Sequence, residues 1–326
     1  MRHPTLSWFH KNKRSVKFKW LYQIAGISKQ AFHKKNRPKA DYSLQIQAFI
    51  YEADLLRAAH PGCGVAKIFD TLKPPWIGRL NGIRLLYSYG FKLKRGVDYK
   101  RTTISVSSAY CNLIEGMLIF RRNQVWQTDI TYIRVGDRFY YLVFIIDIYT
   151  KVIIGYNASV NLRVQGNLKA LDQALKTCKG MSIEGLIHHS DRGSQYVDHH
   201  YIQRLRDQGI WISMGQTAQQ NAYVERLNGI IKNEFLNKWT IKNFKELKIK
   251  VKKAVDYYNE SRIHRHLPGK LTPRKFESIE LNLNYQTRPK VIVYTDGNKK
   301  LKATSRSLEL YPEPEPKALV CPMVYC

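Results

Sequence analysis

Apolar residues in the first third of the chain recur at helical spacing. In WLYQIAGISKQAFHKK (residues 20–35), Leu21, Ile24 and Ala25 form an apolar side, Gly26 interrupts it, and Ser28 stands where a helix N-cap belongs. Helix, glycine turn and capped basic helix predict a helix-turn-helix. Its second helix would offer Ser28, Lys29, Gln30, Lys34 and Lys35 to a DNA groove, or simply to water. Residues 44–59 place Ile46, Phe49, Ile50, Ala53 and Leu56 on one face of a longer helix. HPGCGVAKIFDTL and IGRLNGIRLLYSYGF predict a further helical pair.

From Gln124 the period changes. VWQTDITYI and RFYYLVFIIDIYTKVIIGY are rich in β-branched and aromatic residues, and Val135-Gly136-Asp137 between them signals a hairpin. NLKALDQALKTC then reads as a helix, GLIHHSD as a short buried strand, QYVDHHYIQRLRDQG as a helix and IWISM as a strand. After the polar loop GQTAQQ come two helices, NAYVERLNGIIKNEFLN and FKELKIKVKKAVDYYN. The second of these sets Phe244, Leu247, Val251, Val255 and Tyr258 on one face. Hairpin-linked strands followed by strand–helix alternation predict an α/β fold with a mixed sheet. The pattern fades after about residue 285.

Charge changes what this fold is for. Fifty-four Lys and Arg against twenty-five Asp and Glu leave +29, about half of it before Ile119. Solubility asks for only about 2–8 charges on a small domain, so the excess points to a polyanionic partner, DNA or RNA. The five scattered cysteines form no metal or disulfide spacing, no stretch approaches the ~20 apolar residues of a membrane span, and the basic start lacks a signal peptide's apolar core. A cytoplasmic protein is expected.

Against that basic background three acids stand out. Asp129 lies inside a strand, where Asp is disfavoured. Asp191 ends the next buried strand, and Glu225 opens the helix after the polar loop. Strand ends and helix starts on one edge of an α/β sheet form its ligand crevice. Carboxylates gathered there repel unless a cation relieves them, and hard oxygen donors suit Mg²⁺ or Mn²⁺, with two such ions clamping an in-line phosphoryl displacement. Each acid also has a plainer use: Asp191 as a turn or helix cap, Glu225 as a solvated surface residue. Asp147, within an apolar strand, is read as structural. His188 and His189 point to opposite faces of their strand, so at most one can face the site. Lys232, two helical turns after Glu225, suits a phosphate contact, whereas Gln220, Asn221 and Arg226 are divided between DNA and plain solvation.

The blocks WQTDITYI, IIDIYTKVIIGY, HHSDRGSQY, NAYVERLNGIIKNEF and YNESRIHRHLPGKLTPRKF, in that order, resemble the insertion-sequence-3 family of transposases, relatives of the retroviral integrases. The resemblance implies an RNase H-like core with a D,D,E triad on Asp129, Asp191 and Glu225, two Mg²⁺ (or Mn²⁺) ions, and cleavage of DNA ends followed by strand transfer. It implies the terminal repeats and target DNA as partners, a homo-oligomer on DNA, and an upstream-frame helix-turn-helix protein. The expected organisation is a helix-turn-helix-like segment (1–40), a helical DNA-binding region (41–110), a linker (111–122), the RNase H-like core (123–284) and a tail (285–326). Three departures stand out. The interval from Asp191 to Glu225 is slightly short, Gln216-Thr217-Ala218-Gln219-Gln220 replaces a loop carrying glycine and aspartate, and Lys151 stands where an arginine is common. Two alternatives stand beside the transposase: a catalytically silent DNA-binding regulator and an RNase H-type nuclease.

Overall fold

The computed structural model describes residues 18–36, 42–93, 110–284 and 286–293. Residues 94–109, in the expected helical DNA-binding region, and most of the expected tail lie outside them. The chain divides into two compact units, Met1–Glu52 and Ala53–Cys326. In the first, α1 (Phe18–Ile24) and α2 (Lys29–Asn36) flank a turn in which Gly26 holds φ at +62°. That left-handed region costs a residue with a side chain about 1–2 kcal/mol. Tyr22 and Phe32 close the hairpin with ring centroids 5.7 Å apart, and Ala25 and Ile27 pack against them. Ser28 Oγ accepts from the Ala31 N–H at 3.0 Å, the cap its position predicts. The helix α3 (Ser43–Ala59) follows.

In the second unit the expected helical pair forms as α4 (Val65–Leu72) and α5 (Arg79–Ser88). The sheet is built from β2 (Val125–Val135), β3 (Arg138–Asp147), β4 (Ile153–Ser159), β5 (Ile187–Ser190) and β6 (Trp211–Met214), in the order β4-β3-β2-β5-β6. The pairs β2–β3 and β3–β4 are antiparallel, while β2–β5 and β5–β6 are parallel. This is the mixed sheet of an RNase H-like fold. Helices α6 (Val164–Thr177) and α7 (His199–Arg206) belong to one face, and α8 (Ala222–Ile230) and α9 (Phe244–Glu260) to the other.

The continuous apolar run of β3 follows from that layering. Val143 and Ile145 join the core with Ala170, Leu171 and Leu205, whereas Leu142, Phe144 and Ile146 join the core with Val224, Val251 and Val255. A strand covered on both faces needs an apolar residue at every position.

Two short strands were not legible beforehand. β1 (Leu118–Ile119) pairs antiparallel with β7 (Val291–Ile292), so part of the expected linker meets the start of the expected tail. Two-residue strands carry too little alternation to register as a pattern.

Beyond α8 the helix widens into a π turn (Ile231–Phe235), and Glu234 within it is the anchor of the preceding helical segment. Arg262 donates to both its carboxylate oxygens at 2.8 Å, His60 Nε2 donates to Oε2 at 2.6 Å, and Lys67 Nζ lies 3.0 Å from Oε1. The Gly62 N–H donates to the Glu234 carbonyl at 2.8 Å. A Cβ on residue 62 would fall 2.3 Å from Glu234 Cα, so only glycine permits this approach. The last helix among the described residues is α10 (Pro273–Glu280).

Candidate active site

Strands β2 and β5 lie side by side in parallel, with Gln127 opposite His189. Two residues further along each chain come Asp129 and Asp191, which therefore share a sheet face at the edge where β5 ends. Asp129 is largely sequestered from solvent, and its carboxyl is pushed up to about 8 by burial, then by the charge of Asp191, with Glu225 adding to it. Burial likewise raises Asp191, against a bond from the Gly193 N–H to its Oδ1 at 3.1 Å. Among the described residues neither aspartate forms an ion pair, in a chain carrying fifty-four Lys and Arg.

Helix α8 runs beside β2, and alternate residues of the strand fasten it. Gln127 Oε1 accepts from the N–H groups of Tyr223 and Val224 at 3.1 and 3.3 Å, and its amide donates to the Gln220 carbonyl at 3.2 Å. Asp129 Oδ2 accepts from Asn228 Nδ2 at 2.8 Å, and Thr131 Oγ1 accepts from Lys232 Nζ at 3.3 Å. Two residues of strand advance about 6.6 Å and four of helix about 6 Å, so positions 127, 129 and 131 keep step with 224, 228 and 232. The free N–H groups of the helix start are taken up by Gln127. Glu225 sits in the first turn of α8 with its side chain exposed, three residues before Asn228. Among the described residues no three His, Cys, Asp or Glu side chains form a ready metal cage as they stand. The donor set is nevertheless one that fits a hard divalent cation: carboxylate oxygens, those of Asp129 and Asp191 being largely buried with no ion-pair partner among the described residues.

Two stretches of the chain, residues 121–220 and 208–273, match the integrase core domain family. Over 224 residues the chain is 36% identical to the transposase for insertion sequence element IS629 of Shigella sonnei, covering 67% of this chain and 74% of that protein. The chain belongs to the insertion-sequence transposases. It is also 33% identical over 208 residues to the transposase for insertion sequence element IS904 of Lactococcus lactis, covering 62% of this chain and 79% of that one. Among solved structures, the HTLV-2 integrase catalytic core domain in complex with magnesium aligns with a TM-score of 0.40 at 20% identity, over 51% of this chain and 99% of that one.

The other residues singled out in this transposase fall into distinct places. Asn221 is buried and donates to the Thr128 carbonyl at 3.0 Å. Gln220 closes a capping box with Thr217, its Oε1 accepting from the Gln216 N–H at 2.6 Å. Both therefore hold the polar loop and the start of α8 in place, which gives the glycine-poor loop a fixed form. Lys232 is buried, with its ammonium 4.9 Å from the Tyr132 ring centroid, on the same strand face as Asp129. Arg226 is exposed. Lys29 and Gln30 are exposed on α2, while the side chains of Lys34 and Lys35 lie outside the described residues. His188 shares a 3.0 Å hydrogen bond with the Tyr201 hydroxyl and His189 Nδ1 one of 2.8 Å with Ser213. Burial holds both imidazoles neutral, near 3 and 4. Asp147 is structural: it accepts from Asn123 N, Thr150 N and Thr150 Oγ1 at 2.7, 2.7 and 2.9 Å. Gln127 and Asn228 are the site residues that pattern reading missed. Their signal was a buried-strand glutamine two positions before Asp129 and an asparagine on the helix face of Glu225.

Proposed function

We propose that this transposase cuts DNA at element ends and joins the freed 3′-hydroxyl to another phosphodiester, with Asp129, Asp191 and Glu225 holding two divalent ions, Mg²⁺ or Mn²⁺. The observation that supports this most is the pair Asp129 and Asp191, each two residues past the paired Gln127 and His189, and largely buried with no ion pair among the described residues in a chain of +29. Such ions, when bound, neutralise the acids, activate the attacking oxygen and stabilise the leaving one. Asp129 and Asp191 contribute ligand oxygens from a rigid sheet, and Asn228 holds the Asp129 carboxylate in one orientation. Gln127 fixes the start of α8, from whose first turn Glu225, close enough for its charge to act on Asp129, would supply the third carboxylate. Lys232 lies on the same face for a DNA phosphate. No side-chain nucleophile is needed, since the attacking oxygens are those of water and DNA.

Residues 123–284 act as the catalytic core in this reading, and α1–α2 reads DNA through Ser28, Lys29, Gln30, Lys34 and Lys35. The partners are the terminal repeats and target DNA, a second protomer to hold the other end, and an upstream-frame helix-turn-helix protein. The setting is the nucleoid in the cytoplasm. Among the described residues no helix is long and apolar enough to cross a membrane.

The test is an oligonucleotide carrying the element's terminal repeat, incubated with the full chain and Mn²⁺. Nicked and joined products that vanish in Asp191→Asn, with DNA binding kept, are expected. Binding alone in both proteins would establish the silent regulator instead, and hydrolysis of RNA–DNA hybrids without joining would establish the nuclease.

A further inference from the structure

On the side of α8 away from the acids lies a cavity of about 600 Å³, within the size range of small-ligand sites. Its lining carries Lys151, Arg226, His264, His266 and Lys290, and among the described residues no Asp or Glu faces it. Arg226 follows Glu225 directly in α8, so the helix that carries the third acid sets the next residue, about 100° further round, in the wall of this cavity.

Three features of the lining make little sense in a pocket that binds nothing. Lys151 is buried, makes no ion pair among the described residues, and holds φ at +63°, a conformation disfavoured for a residue with a side chain. Its ammonium donates to the Ile148 carbonyl at 2.6 Å and lies 3.9 Å from the Tyr223 ring centroid, leaving donor capacity over. The carboxylate of Asp147, four residues earlier, is already committed to Asn123 and Thr150. Tyr149 Oη and His264 Nδ1, both lining the cavity, are buried with no hydrogen-bond partner among the described residues. Each such group is costly to bury unless something satisfies it. Burial, with the neighbouring charges of Arg262, Lys151, His266 and Arg226, also draws His264 down to about 3. Burial brings Lys151 down to about 7. An arriving anion would relieve both.

We propose that this cavity binds one nucleotide unit, its phosphate on Lys151 and Arg226 and its sugar or base against the aromatic walls of Tyr149 and Tyr223. Arg and Lys are the usual phosphate partners, and aromatic faces accept any base. The unit would come from a DNA strand passing α8, or from a free nucleotide. The proposal rests on the chain handling DNA, and goes beyond the chemistry of the acids.

The test is calorimetric titration of the full chain in EDTA, where no cleavage intervenes, with a deoxydinucleoside monophosphate, a nucleoside 5′-monophosphate and inorganic phosphate. Saturable one-to-one binding of a nucleotide probe is expected, at least tenfold weaker in Lys151→Met and also weaker in Tyr149→Phe. Tyr149→Phe should melt no lower than wild type, since it removes a buried hydroxyl with no hydrogen-bond partner among the described residues. A residue with a merely structural role would lower the melting temperature instead. Tighter binding of the dinucleotide marks the strand as the source, and tighter binding of the monophosphate marks a free nucleotide. Failure of both nucleotide probes to bind, phosphate binding as well as they do, or unchanged affinity in both variants would overturn the proposal. Because the titration reads no cleavage, a transposase whose acids prove inactive could still pass it.

Discussion

Two largely buried acids, one in the helical stretch that continues α8 and one on the strand beside it, meet opposite fates. Glu234 is surrounded by Arg262, His60 and Lys67. Burial alone would raise its carboxyl, but hydrogen bonds from Arg262 and His60 and the charges of Arg262 and Lys67 hold it well below the usual carboxylate range. Asp129 is driven up to about 8 by burial and then by two like charges, against hydrogen bonds from neutral donors alone, the Ile130 backbone and the Asn228 amide. The chain has cations in abundance and, among the described residues, places two of them and a His60 hydrogen bond on the first acid and none on the second. An acid matched from within serves the fold; the acid left unmatched is the one that the proposed function assigns to a cation.

The contrast is broken most forcefully at Glu234. Glu234→Gln leaves Arg262 and Lys67 buried without a counter-charge, and removing one partner of a buried ion pair costs about 3–5 kcal/mol. Thermal melting should show that loss at pH 7. Because the folded carboxyl titrates below its ordinary value, the contribution of Glu234 is present above that value and drains as pH falls. The gap between wild type and Glu234→Gln should therefore narrow on acidification. A gap that stays constant down to pH 3 would remove the charge explanation.

Asp129 should respond with the opposite sign. A carboxyl raised to about 8 favours folding only while protonated, so its stability is whole below its ordinary value near 4 and is lost as pH rises through about 8. In EDTA, Asp129→Asn should match wild type near pH 4 and exceed it by a few kcal/mol near pH 8, since each tenfold change in proton affinity on folding is worth about 1.4 kcal/mol. Added Mg²⁺ should raise the melting temperature of wild type and leave the variant unmoved. Equal melting of the two proteins across this range would mean that the acids do not burden one another.

These two acids also mark what the sequence could convey. Asp129 was legible because an aspartate inside VWQTDITYI contradicts its surroundings. The mixed sheet was legible from the hairpin and the strand–helix alternation. Glu234 was not, since its three partners come from residues 60, 67 and 262, and no periodicity links positions so far apart. Asn221 and Gln220 looked like polar loop residues open to DNA. Their inward bonds depend on a loop conformation that composition does not specify. Lys151 read as a variation on a basic position, and only its burial and positive φ give it meaning.

The finest distinction between the two acids lies in Asn228. Glu234 is held by charge, whereas Asp129 is held by a neutral amide at 2.8 Å that orients one oxygen without neutralising it. In the proposed two-ion site that choice would leave the carboxylate able to bind a cation and would set the direction from which it does so. Groups that orient a metal ligand in this way commonly change metal affinity about 10–100-fold when removed. Asn228→Ala should thus keep the fold and DNA binding, weaken Mn²⁺ activation of cleavage about tenfold, and recover rate at high Mn²⁺. Asn228→Asp tests the same point from the other side, because a fourth carboxylate beside Asp129 would raise its carboxyl further and shift the activity profile to higher pH. An Asn228→Ala protein with unchanged Mn²⁺ dependence would show that the amide merely packs against the acid, and that Asp129 needs no help to face its ion.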